Sequence, residues 1–242
     1  MSHNPSSYTK APRIFVEHVL AESDSFCFED KVHHYLKNVM RVRDGAPVRL
    51  FNGKDGEYLG QIEHAGKKDM CVTVIKKLIP QKARAHKLHL LFSPIKKERM
   101  DFLIEKAVEL NVTDIHPVLT LHSDIRKLNL DRMRLQIIEA AEQCERLDIP
   151  DLHPAEDMFK KLGTWNTSVS MLAALERFDA KPVHEYVSDK ECGILIGPSG
   201  GFSEDEKQKL AKLDFVTPVS LGENILRAET AAIAALSVIA LN

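Results

Sequence analysis

From residue 88 onward, short apolar runs alternate with segments of helical periodicity, and this alternation is the strongest constraint on the fold. Apolar runs of this length are typical of strands buried on both faces. Strands that alternate with helices predict a parallel sheet covered by helices on both sides. The predicted strands are LHLLFS (88–93), IHPVLT (115–120), VSMLAAL (169–175), GILIGP (193–198) and FVTPVSL (215–221), and the predicted helices span 98–110, 130–146, 204–213 and 228–241. We therefore predict an α/β domain over residues 88–242.

The first third of the chain has a different pattern. Residues 13–19 alternate like a strand, a helical stretch ends at Gly45, and short β-like runs separated by glycines follow. Asn52-Gly53 is a strong hairpin signal between two such runs. We predict a small, mostly β domain over residues 13–78. A flexible tail (1–12) precedes it, and a polar, proline-bearing linker (79–87) connects it to the α/β domain.

Composition excludes several classes of protein. With 44% hydrophobic and 28% charged residues, the chain is typical of a soluble globular protein. No apolar run reaches the roughly 18 residues that a membrane span needs, and the polar amino terminus does not resemble a signal peptide. The four cysteines lie far apart without C-x-x-C spacing, which argues against a zinc site and against a disulfide framework. We expect a cytoplasmic protein with no metal and no membrane partner.

Charge is unevenly distributed along the chain, although the net charge is only −2. Residues 1–99 carry 18 Lys and Arg against 11 Asp and Glu, whereas residues 100–242 carry 15 against 24. A basic front half favours an anionic partner such as nucleic acid. A merely solvated surface would give the same imbalance.

Two glycine-bearing loops, GPSGG (197–201) and LGEN (221–224), each follow a predicted strand. Open α/β sheets place ligands at the carboxyl ends of their strands. The paired glycines permit positive φ and expose backbone N–H groups, while Pro198 restricts the approach of the chain. Ser203 and Glu206 have capping-box spacing, so we expect a helix to begin directly after the first loop. Neither loop is a dinucleotide fingerprint or a P-loop, and either one alone could be an ordinary tight turn.

Together, GPSGGFS and LGENILRAETA resemble the carboxyl-terminal signature of the SPOUT methyltransferases. The resemblance is closest to the RsmE family, which methylates uridine N3 in small-subunit ribosomal RNA. It covers nearly the whole chain, and the further matching segments are RIFV (13–16), the helix end before Asp44-Gly45, KKER to EKAVEL (96–110), EAAEQCER (139–146) and RAETA (227–231). One position departs: the family's loop usually carries an acidic residue where this chain has Ser199. The departure puts in doubt any role for a carboxylate at that position.

The resemblance implies a PUA-like β-barrel domain for RNA binding, followed by a SPOUT domain whose carboxyl-terminal segment threads a deep trefoil knot. It also implies a homodimer. The last helix, 228–241, is apolar almost all round, and such a helix is buried in the core or against a second copy. The implied cofactor is S-adenosyl-L-methionine. The residues expected to bind it are Leu175, Ile196, Gly197, Pro198, Gly200, Gly201, Leu221, Gly222, Ile225, Leu226, Arg227 and Thr230.

Transfer of a methyl group to a ring nitrogen requires that the nitrogen be deprotonated and held in line with the methyl. Arg227 is the first catalytic candidate, because a guanidinium stabilises developing negative charge or grips a phosphate. Arg13 is the second. Glu229 is the third, although a glutamate at the start of a helix could equally serve the helix dipole. The candidate RNA-binding residues are Arg13, Lys37, Arg41, Arg43, Lys96, Arg99 and Arg146.

The sequence therefore predicts an enzyme that uses S-adenosylmethionine to methylate uridine N3 of 16S ribosomal RNA, as free RNA or within the small subunit. Two alternatives stay open. The first is a SPOUT methyltransferase that acts on a ribose or on transfer RNA. The second is a non-catalytic RNA-binding module with a decayed cofactor site.

Overall fold

The computed structural model describes residues 8, 10–28, 30–65, 69–84, 86–186 and 190–241. Parts of the predicted tail (1–7 and 9) and of the predicted linker (85) lie outside the described residues. The chain forms two compact units. One comprises Met1–Ala83 and Ala141–Ile149, and the other comprises Arg84–Ala140 and Pro150–Asn242.

The segment Ala141–Ile149 is notable because the sequence places it inside the α/β domain, whereas it packs with the first unit. The chain thus contributes to the first unit twice. The predicted domain boundaries at residues 78 and 88 stay a proposal.

The first unit is built on a five-stranded sheet in the spatial order β1-β3-β4-β5-β2. Its strands are β1 (Arg13–Phe15), β2 (Ser25–Cys27), β3 (Pro47–Phe51), β4 (Glu57–Ala65) and β5 (Met70–Ile79). β1 pairs with β3 in parallel, and the other neighbours are antiparallel. A short helix, α1 (Asp30–His34), continues as a π-helical turn over Tyr35–Val39, whose Leu36 joins the core of the sheet. The helix predicted to end at Gly45 therefore ends earlier, before Arg41 takes a positive φ of 53°.

The hairpin predicted from Asn52-Gly53 connects β3 to β4. The Asn52 side-chain oxygen accepts the backbone N–H groups of Lys54 at 3.0 Å and Asp55 at 2.8 Å. Gly53 has a φ of 79°, which a residue without a Cβ adopts readily. Local turn chemistry therefore sets this strand connection, as the sequence indicates.

The cysteines of the first unit correct one expectation. Cys27 of β2 lies directly opposite Cys71 of β5, and the two form a disulfide that closes a separation of 44 residues. The expectation of no disulfide came from spacing along the chain. Strand pairing brings together two cysteines whose spacing carries no recognisable pattern.

The second unit contains the predicted parallel sheet, in the order β12-β10-β11-β6-β7-β8, with β9 paired to β7. Its strands are β6 (Leu88–Phe92), β7 (Asp114–Leu119), β8 (Asp151–Leu152), β9 (Glu156–Asp157), β10 (Ser170–Ala174), β11 (Cys192–Ile196) and β12 (Val216–Val219). Its helices are α2 (Lys97–Glu109), α3 (Leu130–Gln143), α4 (Met158–Gly163), α5 (Glu204–Leu210), α6 (Ala228–Ala240) and a 3₁₀ turn at Val183–Tyr186. The last three residues of α3 belong to the first unit. All five residues of β6 are buried, so both faces of the sheet are covered. The predicted α/β class is confirmed.

Helix α3 ends earlier than the sequence predicts. It stops at Gln143, and Glu145 takes a left-handed φ of 61° that turns the chain away from the helix axis. Arg146 therefore does not extend the polar helix face that the 3.6-residue period assigns to it. Among the residues described, no helix is both long enough and apolar enough to span a membrane.

Candidate active site

A cavity of about 220 Å³ opens at the carboxyl ends of β10, β11 and β12 in the second unit. These three strands are neighbours in the sheet, so the loops that follow them converge at one edge. The cavity is lined by Ala174–Phe178 after β10, Ile196–Pro198 and Gly201–Phe202 after β11, Val219–Leu226 after β12, and Ala228 and Ala231 of α6. Ligand sites at the carboxyl ends of parallel strands are the general rule for such sheets.

The first glycine loop is shaped by close contacts. Gly201 has a φ of 71°, and its N–H donates to the Pro198 carbonyl at 2.9 Å, which closes a tight turn. A Cβ on Gly197 would lie 2.9 Å from the Phe202 ring, so a side chain there would displace the ring from the cavity wall. Gly222 in the second loop has a φ of 116°. Glycine is therefore required in both loops.

The predicted capping box is present and does more than begin α5. The Glu206 N–H donates to Ser203 Oγ at 3.2 Å, and the Ser203 N–H donates to the Glu206 carboxylate at 2.8 Å. The second Glu206 oxygen accepts the Leu121 N–H at 2.9 Å, from the loop after β7. In that same loop, His122 Nδ1 lies 3.1 Å from the Gly201 carbonyl oxygen. The loop after β7 therefore contacts both the glycine loop, at Gly201, and the start of α5, at Glu206.

Ser199, the departure from the family pattern, has a carboxylate partner. Its hydroxyl donates to Asp124 Oδ2 at 3.0 Å, across a separation of 75 residues. A carboxylate from the loop after β7 therefore stands beside the position where the family usually carries one.

Most residues expected to bind the cofactor line the cavity. Leu175, Ile196, Gly197, Pro198, Gly201, Leu221, Gly222, Ile225 and Leu226 are in its wall, whereas Gly200, Arg227 and Thr230 are not. Sequence reasoning missed Glu176, whose carboxylate lies against Gly201 and faces the cavity. Glu176 could have been predicted from its position directly after a predicted strand, because ligand contacts concentrate there.

Arg227 and Glu229 lie at the start of α6. Arg227 is exposed and forms the amino-terminal cap position, between Leu226 and Ala228 of the cavity wall. Glu229 is 9% exposed, and one of its oxygens lies 3.6 Å from Arg99 Nε of α2, while the other is buried without a hydrogen bond. Arg99, expected to contact RNA, therefore pairs with Glu229 and links α2 to α6.

Arg13 is a structural residue of the first unit. It is 6% exposed, and its Nε donates to Glu57 at 2.6 Å. Its Nη1 donates to the Ala141 carbonyl at 2.8 Å, and its Nη2 donates to the Arg146 carbonyl. The guanidinium also lies 3.7 Å above the Phe51 ring. Because all three nitrogens already donate within the unit, the structure gives no support to a catalytic or RNA-binding role for Arg13.

The other RNA-binding candidates divide into two groups. Arg146 is buried and pairs with Asp148 at 3.3 Å, which again indicates a structural role. Arg41, Arg43 and Lys96 are exposed, and Lys37 is partly exposed. Only this second group presents cations to solvent.

Comparison with known proteins places this geometry in a family. Residues 82–240 match the RNA methyltransferase domain family, and residues 28–75 match the RNA methyltransferase PUA domain family. The chain belongs to this family of RNA methyltransferases. It is 35% identical to the ribosomal RNA small subunit methyltransferase E of Rickettsia conorii over 94% of each chain. It is 26% identical to the protein of the same name from Bacillus subtilis, over 94% of this chain and 95% of the relative.

Two solved structures resemble this methyltransferase over nearly their full length. The ribosomal RNA small subunit methyltransferase E of Neisseria gonorrhoeae, bound to S-adenosyl methionine, has a TM-score of 0.85 at 26% identity and covers 94% of this chain and 95% of its own. A methyltransferase from Legionella pneumophila, in complex with the cofactor SAM, has a TM-score of 0.83 at 28% identity and covers 96% and 97%. The predicted PUA-like and SPOUT architecture is thereby confirmed. The trefoil knot stays a prediction.

Proposed function

We propose that this methyltransferase transfers the methyl group of S-adenosylmethionine to N3 of a uridine in small-subunit ribosomal RNA. The observation that carries the proposal is the cavity between the two glycine loops, at the carboxyl ends of β10, β11 and β12. It occurs in a chain that belongs to the RNA methyltransferases and resembles relatives named for small-subunit ribosomal RNA.

The cavity suits a cofactor with apolar and cationic parts. Leu175, Ile196 and Leu226 supply apolar wall, and the glycine loops bring backbone groups close. An apolar pocket with a few directed polar groups is the usual design for a ligand of this size. The carboxylate of Glu176 would offset the positive charge of the sulfonium and amino groups. When bound, the cofactor supplies an electrophilic methyl group.

Arg227 is the proposed catalytic residue. It follows Leu226 of the cavity wall, is exposed, and is free to approach a substrate that enters from solvent. Its guanidinium would stabilise the negative charge of a uracil deprotonated at N3. Glu229 is proposed as a positioning residue, because its carboxylate pairs with Arg99 at the start of α6.

RNA would be bound electrostatically by the exposed cations Arg41, Arg43 and Lys96, together with Lys37. Such contacts go mostly to phosphates, and they make affinity fall as salt rises. We place the reaction in the cytoplasm, where ribosomal RNA is made in bacteria like those relatives.

A homodimer is part of the proposal. Ile233 and Ile239 of α6 are apolar but remain partly exposed in a single chain. A second copy packed isologously on this helix would complete their burial. Sedimentation at micromolar concentration tests this: a dimer is expected, and a monomer would overturn it.

The function is tested by nucleoside analysis of ribosomal RNA from a strain that lacks the gene. N3-methyluridine should disappear from 16S ribosomal RNA and return when the wild-type chain is supplied. An unchanged level would overturn the proposal, and loss of a ribose or transfer RNA methylation instead would favour the first alternative. Calorimetry with S-adenosylmethionine addresses the second alternative, since a decayed site should give no heat of binding.

A further inference from the structure

The edge of the parallel sheet opposite the cavity carries a buried cluster of metal-binding side chains. His89 is the second residue of β6, and Asp114 and His116 are the first and third residues of β7. Strand register places His89 directly beside Asp114. These positions lie at the amino-terminal ends of the two strands, whereas the cavity lies at the carboxyl ends of β10, β11 and β12.

Each of the three side chains offers one ligand atom, and the three atoms lie close together. His89 Nδ1 is 3.2 Å from His116 Nε2 and 3.7 Å from Asp114 Oδ2, and all three atoms lie within 4.8 Å of one another. A tetrahedral metal with nitrogen and oxygen ligands at about 2.0–2.2 Å holds neighbouring ligand atoms about 3.3–3.6 Å apart. The two measured distances bracket that range.

Burial removes the three side chains from water, so their charges and lone pairs need partners. Lys87 Nζ lies 3.8 Å from Asp114 Oδ2 and offsets part of the charge of that carboxylate. His89, Asp114 and His116 are only 8%, 4% and 4% exposed. His89 Nε2 lies 2.9 Å from the Glu191 carboxylate, which holds the ring proton on Nε2 and leaves a lone pair on Nδ1. That lone pair faces the Asp114 carboxylate. A proton on His116 Nε2 can be donated to the His89 Nδ1 lone pair, which leaves Asp114 outside that hydrogen bond. A cation at the centre would instead be bound by all three ligand atoms.

The surroundings of His89 and Asp114 match the second shell of a metal site, whereas the other ring nitrogen of His116, Nδ1, is buried without a hydrogen bond among the described residues. Histidines that bind a metal usually donate their other ring N–H to a carboxylate, as His89 does to Glu191. The Asp114 carboxylate is oriented in turn: Thr113 Oγ1 donates to Oδ2 at 2.7 Å, and His153 Nε2 lies 3.0 Å from Oδ1. The Trp165 ring packs edge-on against both ligand histidines and covers the site with apolar surface.

We propose that His89, Asp114 and His116 bind one divalent first-row transition metal of the zinc class. Two imidazoles and one carboxylate favour such an ion over magnesium or calcium, which prefer oxygen ligands. The metal would join β6 to β7 and would take no part in methyl transfer, because it lies at the opposite edge of the sheet. The expectation of no metal rested on cysteine spacing, and this site uses no cysteine.

The test uses the full-length chain, stripped of metal with a chelator and titrated with Zn²⁺ in a calorimeter. We expect one ion per chain and a higher melting temperature, since a ligand that binds only the folded state stabilises it. Cobalt(II) should give the visible absorption of a tetrahedral site, and millimolar Mg²⁺ should not compete. A folded wild-type chain that binds no Zn²⁺, or releases it to Mg²⁺, would overturn the proposal.

Variants locate the ion. Asp114→Asn and His116→Gln should remove stoichiometric binding, whereas His184→Gln, which changes an exposed histidine elsewhere, should bind as the wild type does. If the ligand variants fail to fold, Glu191→Gln decides, because its side chain is 42% exposed. It should weaken Zn²⁺ binding about 10- to 100-fold. Unchanged affinity in Glu191→Gln, or in folded ligand variants, would contradict the assignment.

Discussion

The interior of the first unit holds one arginine that the sequence predicts to be catalytic, and the start of α6 in the second unit holds the other, in opposite surroundings. Arg13 is buried over the face of the Phe51 ring, with all three nitrogens donating to Glu57 and two backbone carbonyls. Arg227 is exposed at the start of α6, and within the described part of the chain its guanidinium makes no ion pair or hydrogen bond. Arg13 therefore stabilises the fold through all of its nitrogens, whereas Arg227 can contact a ligand.

The role of a charged residue therefore depends on its partners. A buried charge persists only when neighbouring groups compensate its lost hydration. Glu57 pairs with Arg13 and also with Arg49, at 3.4 Å, and Arg49 extends the network to Glu145 at 2.7 Å. The hydrogen bond from Arg49 lowers the pKa of the Glu145 carboxyl. Such a network stabilises a fold, while an exposed, unpaired arginine beside a cavity contributes little to stability.

The largest effect on stability is expected from Glu57→Gln, which leaves two buried arginines without their shared carboxylate. Removing one partner of a buried ion pair costs about 3–5 kcal/mol. Glu63→Gln is the matched control, because Glu63 lies on the same strand but is exposed, and it should change stability by less than about 0.5 kcal/mol. Urea unfolding monitored in the first unit measures both variants. Equal urea midpoints for the two variants would show that the ion pairs of Glu57 do not stabilise the fold.

Gly197→Ala should have the next largest effect on stability, and this change lies in the cavity wall of the second unit. The new methyl would lie 2.9 Å from the Phe202 ring, so the ring must shift. Overpacking of this kind costs about 1–3 kcal/mol, and the displaced ring should also weaken cofactor binding in calorimetry. Gly163→Ala is the control, since its Cβ would meet no atom within 4 Å. Cofactor affinity unchanged by Gly197→Ala would argue that Phe202 does not shape the site.

Asp55→Asn tests a smaller electrostatic contribution in the first unit. The Leu20 N–H donates to the Asp55 carboxylate at 3.0 Å and the Asn52 amide donates at 2.6 Å, and these bonds lower the pKa of Asp55 below 3.8. Loss of these bonds at a partly exposed site should cost about 1 kcal/mol at pH 7.

The sign of the pH dependence follows from the lowered pKa. Asp55 stabilises the fold fully above pH 3.8, and this stability is lost as the pH falls through the lower pKa of the folded state. The free energies of unfolding of the wild type and of Asp55→Asn should therefore differ by a constant amount near neutral pH. The difference should shrink as the solution becomes acidic. Melting curves between pH 3 and 7 measure this, and a gap that widens in acid would contradict the assignment.

Arg227→Ala should have the smallest effect on stability, within about 0.5 kcal/mol of the wild type. Methyl transfer should nevertheless be lost while S-adenosylmethionine still binds, because the side chain is proposed to act on the substrate. Thermal melting, cofactor titration and single-turnover assays together check the three expectations. Retained turnover would remove Arg227 from the catalytic residues, and a large loss of stability would remove the contrast with Arg13.

Features that depend on local interactions were predicted from the order of the amino acids alone. Apolar runs predicted the parallel strands. The Asn52-Gly53 pair predicted the first hairpin, and the spacing of Ser203 and Glu206 predicted the start of α5. The two glycine loops were predicted to bind a ligand because each follows a strand, and open α/β sheets place ligands at the carboxyl ends of their strands. Each of these features depends on residues within a few positions of one another, or on a general rule of strand order.

Contacts between residues far apart in the chain follow from the packing of the whole fold. Asp124 beside Ser199, the Cys27–Cys71 pair and the carbonyls that hold Arg13 are separated by 44 to 133 residues. The cluster of His89, Asp114 and His116 depends on the register between β6 and β7. Register and packing arise from the whole core at once, and a shift by one residue would turn each side chain to the other face. Local patterns carry no record of such contacts, so the roles of Arg13 and of the histidines had to be read from the fold.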